Sequence, residues 1–139
     1  MSFVLDPKLA ADTIPLAELR LCRVLLMNDR RYPWLILVPK RAGMRDLDDL
    51  SAADQAQLMI ETDRAARALK ALAPPHKMNV AALGNVVAQL HVHVIARQTT
   101  DAAWPKPVWG IGVAEPYAAA ERAELIQRLG RELERTATA

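Results

Sequence analysis

A chain of 139 residues is long enough for one compact domain with its own core and too short for two of ordinary size. Hydrophobic residues make up 52% of it and charged ones 24%, which excludes a disordered tail. With 18 basic against 16 acidic side chains the net charge is +2, too weak a field to hold a nucleic-acid polymer, and a small anionic ligand stays open. The single cysteine, Cys22, cannot form an internal disulfide, and in its apolar run a thiol behaves as a small hydrophobe. Met1 is followed by no basic-then-apolar leader and no apolar run is long enough to cross a bilayer, so a cytoplasmic protein without a membrane partner is expected.

Residues 2–15 mix Asp, Pro and Thr with scattered apolar positions. Asp6-Pro7 and Ile14-Pro15 punctuate them, so this stretch is expected to be an arm lying on the body. Residues 16–27 read as a strand, with Cys22, Val24 and Leu26 facing one side and Leu21 and Leu25 the other. Asn28-Asp29-Arg30-Arg31 is a polar break of hairpin length, and Trp34-Leu35-Ile36-Leu37-Val38 is an apolar run between Pro33 and Pro39, so the two runs pair antiparallel. Trp34 is more simply a core or interface anchor than a stacking platform. Ser51 can cap a helix in which Leu58, Thr62, Ala65, Leu69 and Leu72 recur at helical spacing, with Pro74-Pro75 closing it. His76-Lys77 is a loop and residues 78–83 are a strand. Gly84-Asn85 turns the chain back, and Gly84 suits unusual dihedrals or a close approach to the main chain. After Arg97 comes Trp104-Pro105-Lys106-Pro107-Val108-Trp109, a stiff aromatic loop that can cover a site, join a dimer or plug the core. Residues 118–135 form an amphipathic helix with Leu125, Leu129 and Leu133 on one stripe and Pro116 just before it.

The chemistry concentrates in Gln89-Leu90-His91-Val92-His93-Val94-Ile95-Ala96-Arg97, which holds two of the three histidines in the chain. Side chains on a strand alternate between faces, so Gln89, His91, His93 and Ile95 share one face, and Leu90, Val92, Val94 and Ala96 share the apolar other. Three readings of the pair are open. A strand can carry polar residues on its wet side with no function. Two imidazoles can share a metal, with His76, Asp29 or Asp101 as further ligands, though no spacing ties those residues to the pair. They can also act on an anion.

The surrounding residues resemble the histidine triad (HIT) superfamily of nucleotidyl hydrolases and transferases. Its motif, His-φ-His-φ-His-φ-φ with φ apolar, follows a glycine-containing phosphate loop; here Gly84-Asn85-Val86-Val87-Ala88 leads into Gln89-Leu90-His91-Val92-His93-Val94-Ile95, with Gln89 in the place of the first histidine. The resemblance implies one α+β domain over residues 1–139, with a core at about 16–97, a Trp/Pro-rich loop at 98–114 and a C-terminal helix at about 116–135. It implies an antiparallel sheet of about five strands with a long helix after the second. By the same resemblance His91 is the nucleophile and His93 the last histidine, while Asn28 or Asp29 binds ribose hydroxyls. The Asn85 side chain and the backbone amides of Gly84, Asn85, Val86 and Val87 then face a phosphate. A homodimer is implied, and neither a cofactor nor a metal is.

The implied mechanism has a physical basis. A neutral imidazole, with an ordinary pKa of about 6.5, splits one hard displacement at phosphorus into two. One nitrogen of His91 must point its lone pair at phosphorus, so the other must donate its proton, and a carbonyl in the 84–88 turn is the expected acceptor. His93 can donate to a phosphate oxygen; Gln89 can position phosphate or water but cannot act as an acid. The substrate expected is a nucleotide phosphoanhydride or phosphoramidate, including a dinucleoside polyphosphate. The rival is a nucleotide-binding module that lost its chemistry with the first histidine, in which case Gln89→His raises the rate.

Overall fold

The computed structural model describes residues 2–137; Met1, Thr138 and Ala139, the ends of the expected domain, lie outside the described residues. The elements in chain order are α1 (Pro7–Asp12), β1 (Thr13–Glu18), β2 (Cys22–Met27), β3 (Trp34–Pro39), a 3-10 turn (Leu47–Asp49), α2 (Ala52–Leu72), β4 (Lys77–Ala81), β5 (Val92–Arg97) and α3 (Ala119–Thr136). The strands form one antiparallel five-stranded sheet in the order β1-β2-β3-β5-β4. The α+β architecture is as expected, with one more strand than the apolar runs announced, so the long helix follows the third strand.

That extra strand is the main correction at the N-terminus. The expected arm contains a six-residue helix and runs into β1, and the expected strand at 16–27 breaks in two at residues 19–21. No Gly, Pro or Asn marks this turn. It is held instead by Glu61, a fully buried carboxylate on α2 that accepts from the backbone N–H of Leu21 at 2.9 Å and of Cys22 at 2.7 Å. A turn stabilised by a partner 40 residues away leaves no local signature. Pro15 fits within β1 because β1 is an edge strand, where a missing N–H costs no ladder bond.

The sheet is covered on both faces. Cys22, Val24 and Leu26 of β2, Leu35 and Leu37 of β3, and Val92, Val94 and Ala96 of β5 pack with Leu58, Ala65 and Leu69 of α2 and Leu129 and Leu133 of α3. The alternation read from the sequence decides this face, although Leu21 joins Cys22 here because it lies in the turn and outside the strand. Ser51 caps α2 as expected, its hydroxyl accepting from Asp54 N at 3.1 Å. Among the described residues no helix is long and apolar enough to cross a membrane.

The opposite face carries Leu25, Trp34, Ile36, Val38 and Ile95, and its cover is irregular chain. Leu9 of α1, Tyr32, Val87, Ala103 and Val108 are buried there, with Phe3, Leu5, Met27 and Trp109 packed alongside. A helix covers a sheet with regularly spaced apolar residues; an arm and a proline-rich loop do so with a few large ones. They therefore leave a cleft.

Candidate active site

β5 places His93 at that cleft, and the residue just before Val92 adds His91. Ile36 of β3 and Ala81 of β4 lie beside His93, so the second imidazole is fixed between two neighbouring strands. The regular strand begins only at Val92; Gln89, Leu90 and His91 form its irregular approach, tied down by the bond from Leu90 N to Met44 O at 3.0 Å. The cleft, of about 410 Å³, is lined by Lys8, Leu9 and Asp12 of α1, Met27, Trp34 and Ile36, the loop residues 83–87, His91, His93 and Trp109.

The hydrogen bonds assign the tautomers. Nδ1 of His91 lies 2.6 Å from the carbonyl oxygen of Gln89. A carbonyl can only accept, so Nδ1 carries the proton and Nε2 keeps its lone pair free. The acceptor is thus one residue beyond the turn expected to supply it. His93 has the reverse assignment: the indole N–H of Trp34, which can only donate, reaches His93 Nδ1 at 3.0 Å, so the proton of neutral His93 resides on Nε2. Burial, with the neighbouring His91 adding to it, pushes the pKa of His93 down to about 4, and the ring is neutral at pH 7. The two rings meet edge-on with centroids 4.8 Å apart. Trp34 and Trp109 hold His93 at 5.6 and 5.0 Å. One bare nitrogen and one N–H donor therefore stand on neighbouring rings.

The glycine loop completes this end of the cleft. Gly84 has φ +79°, a left-handed conformation that non-glycine residues avoid. Asn85, Val86 and Val87 follow it along the cleft wall. Among the described residues, the amides of residues 85–88 donate to no other protein group, so they remain available as donors.

The side-chain oxygens of Asn28 and Asp29 are engaged elsewhere. Asn28 Oδ1 accepts from Tyr117 N at 3.0 Å, and the Asp29 carboxylate accepts from Arg31 Nε at 3.0 Å and Glu115 N at 3.3 Å. Burial pushes the Asp29 carboxyl up, but the Arg31 guanidinium and the two backbone N–H groups outweigh it and hold the group below the usual carboxylate range. Neither residue lines the cleft. Together they fasten the segment before α3 to the β2–β3 connection. Gln89 sits at the start of the histidine stretch, but both polar atoms of its amide face residues 4–6. His76 packs edge-on against Trp104 at 5.1 Å, in a separate cluster around Arg97 and Asp101. Among the described residues no three His, Cys, Asp or Glu side chains are grouped to share a metal ion.

Three contributors escaped sequence reasoning. Lys8 and Asp12 lay in a stretch read as an arm, and only their helical spacing, four residues apart, hinted at a shared edge. Trp34 was read as an anchor; its role as the donor that fixes His93 depends on the β3–β5 pairing, which joins positions 59 residues apart.

The HIT domain pattern matches residues 9–100. A histidine triad protein from Bradyrhizobium japonicum is 47% identical with a TM-score of 0.93, the match covering 96% of this chain and 99% of that one. A histidine triad protein from Marinobacter aquaeolei is 45% identical with a TM-score of 0.94, covering 98% and 99%. An AP-4-A phosphorylase from Mycobacterium tuberculosis is 37% identical over 81 residues, spanning 51% of this chain and only 41% of that protein's length. With a domain match over most of its length, and with histidines, glycine loop and sheet arranged as described, this chain belongs to the histidine triad family.

Proposed function

We propose that the protein is a nucleotide hydrolase or nucleotidyl transferase that acts at a phosphoanhydride or phosphoramidate bond through a phosphohistidine on His91. The observation that carries the reading is the pair of opposite tautomers, His91 with a bare Nε2 and His93 with Nε2–H, at one cleft beside a glycine turn. In the first step the Nε2 lone pair attacks the α-phosphorus and the bond to the leaving group breaks, its electron pair departing with a phosphate as the anion or with an amine that solvent has protonated. The charge gained by the ring is shared with Nδ1–H, which the Gln89 carbonyl already accepts. His93 Nε2–H and the amides of residues 84–87 donate to the non-bridging oxygens as charge builds. In the second step water, or a phosphate in a transferase, attacks the phosphorus, the P–N bond breaks with its pair returning to Nε2, and the proton lost by an attacking water passes to solvent.

The similarity to an AP-4-A phosphorylase supports a dinucleoside polyphosphate among the substrates. The apolar wall made by Leu9, Met27, Ile36 and Trp109 suits a nucleobase. Incubation with labelled dinucleoside polyphosphates, nucleoside triphosphates and adenosine phosphoramidate tests the reading. Turnover in wild type, its loss in His91→Ala and an acid-labile phosphoryl adduct on His91 are expected. No turnover of any of them refutes it. The rival, a binding module without chemistry, draws on one observation: no third imidazole stands with the pair, and the amide in its place is engaged elsewhere. Calorimetric binding without turnover identifies that case.

A second copy of the chain is the partner this reading includes. β4 is an edge strand, and beside it Val80, Met59 of α2 and Leu47 expose 52%, 69% and 49% of their surfaces along one apolar groove. Light scattering at micromolar concentration is expected to give a dimer for wild type and a monomer for Val80→Arg; a monomeric wild type overturns this part alone.

A further inference from the structure

Both polar atoms of the Gln89 side chain are bonded to the N-terminal arm. Its Oε1 accepts from Asp6 N at 2.8 Å and its Nε2 donates to Val4 O at 2.8 Å. Donor and acceptor on the arm are two residues apart, so the side-chain amide pairs with residues 4–6 as a neighbouring strand would. From there the arm enters α1, whose Asp6 cap accepts from Lys8 N at 2.8 Å. At the far end Asn28 N donates to Asp12 O at 3.1 Å, and Thr13 Oγ1 donates to Leu9 O at 2.6 Å. Leu9 is buried against the second core. Pinned at both ends, α1 forms the outer wall of the histidine cleft and contributes Lys8 and Asp12 to it.

Asp12 is the one carboxylate and Lys8 the one ammonium that line this cleft among the described residues. They pair at 2.9 Å with both side chains well exposed, a contact that solvent weakens and a ligand can replace. An ionised carboxylate only accepts hydrogen bonds. It repels a phosphate chain and attracts hydroxyl donors, and vicinal hydroxyls can engage both its oxygens.

We propose that Gln89 is a positioning residue that holds α1 as the ligand-reading wall of the cleft, where Asp12 accepts the sugar hydroxyls of a bound nucleoside phosphate. This rests on the nucleotide reading of the same cleft. It also gives the Gln-for-His exchange a different meaning. The two polar atoms of an amide lie on one end of the group and match an N–H and a C=O side by side. The two nitrogens of an imidazole lie on different edges of the ring, so a histidine at position 89 gives up at least one of the two bonds. Replacing Gln89 by His therefore loosens the arm instead of completing a triad.

The test compares adenosine phosphoramidate with its 2′,3′-dideoxy analogue as substrates, and AMP with dideoxy-AMP as ligands in calorimetry. Gln89→Ala and Gln89→His are expected to raise KM, or Kd, about tenfold, as loss of about two neutral hydrogen bonds implies, with kcat within about twofold. Gln89→Glu, which keeps the acceptor for Asp6 N, recovers part of the loss. Amide exchange over residues 4–12 accelerates in Gln89→Ala and Gln89→His while the core strands stay protected, which separates a loosened arm from a misfolded chain. Asp12→Ala removes the preference for the ribo over the dideoxy ligand. A Gln89→His variant with raised kcat and unchanged KM overturns the inference, as does an Asp12→Ala variant that keeps the ribo preference. A wild type that binds neither ligand overturns the nucleotide reading and this inference with it, a result distinct from binding that Gln89 and Asp12 leave untouched.

Discussion

Replacement of Trp34 by Phe probes the tautomer argument directly. The indole N–H bond to His93 Nδ1, at 3.0 Å and buried, holds the His93 proton on Nε2. Phenylalanine keeps a ring against His93 and Trp109 and deletes only the donor and some bulk. A buried neutral hydrogen bond is worth about 1 kcal/mol net, and leaving its acceptor unsatisfied adds about 1–3 kcal/mol. Without the indole N–H nothing holds the proton on Nε2, and the Nδ1–H tautomer becomes accessible. The shifted tautomer lacks the preorganised Nε2–H; complete loss of such a donor costs about a hundredfold or more in kcat, so a fall of about ten- to a hundredfold is expected, with KM little changed. A donor to Nδ1 also favours the neutral ring, so its loss is expected to raise the His93 pKa, while burial and the neighbouring His91 still hold it below the ordinary histidine value. Long-range proton–nitrogen NMR of labelled protein reads both effects. Wild type is expected to show His91 as the Nδ1–H and His93 as the Nε2–H tautomer, and Trp34→Phe to mix the second. A wild-type His93 protonated on Nδ1, or a variant with unchanged tautomer and unchanged kcat, refutes the reasoning.

Stability should fall with acid in a window set by the same residue. His93 is buried neutral, and its folded pKa of about 4 lies below the unfolded value, so between pH 6.5 and about 4 the unfolded chain binds a proton that the folded one does not. Stability is therefore full above pH 6.5 and declines through the window by up to about 3 kcal/mol; denaturation of wild type and His93→Gln at pH 7.5 and 5 measures it, and an equal acid loss in both excludes His93 as the source. Glu61→Ala leaves the N–H groups of Leu21 and Cys22 buried without acceptors and is expected to cost about 2–4 kcal/mol in urea unfolding. Loss below 1 kcal/mol would show that water reaches the turn. At Gly84 an added Cβ meets only Val87 O at 3.7 Å, so Gly84→Ala is not blocked by space. Its left-handed φ alone imposes about 1–2 kcal/mol, seen as lower thermal stability and weaker AMP binding; unchanged values would mean the loop relaxes freely.

The alternation of residues 90–96 was enough to put Leu90, Val92, Val94 and Ala96 under the helices and the two histidines on the other face, because side-chain direction along a strand is a local property. The spacing of Leu58, Ala65 and Leu69, and of Leu129 and Leu133, likewise fixed which helix faces meet the sheet. The resemblance of residues 84–95 to the histidine triad pattern led to the family. Neither source reached what depends on partners far apart in the chain. The β1–β2 turn exists because a carboxylate on α2 caps it, and the His93 tautomer because β3 pairs with β5. Asn28 and Asp29 carry polar groups suited to a ligand, and the approach of residues 115–117 engages a side-chain oxygen of each. Gln89 could have faced the phosphate as readily as a histidine; in the fold its amide bonds to residues 4–6, and Asp12 lines the cleft. A sequence states which hydrogen-bonding groups a chain possesses. Only the folded chain decides which of them are already spent on each other, and those left over are the ones available to a substrate.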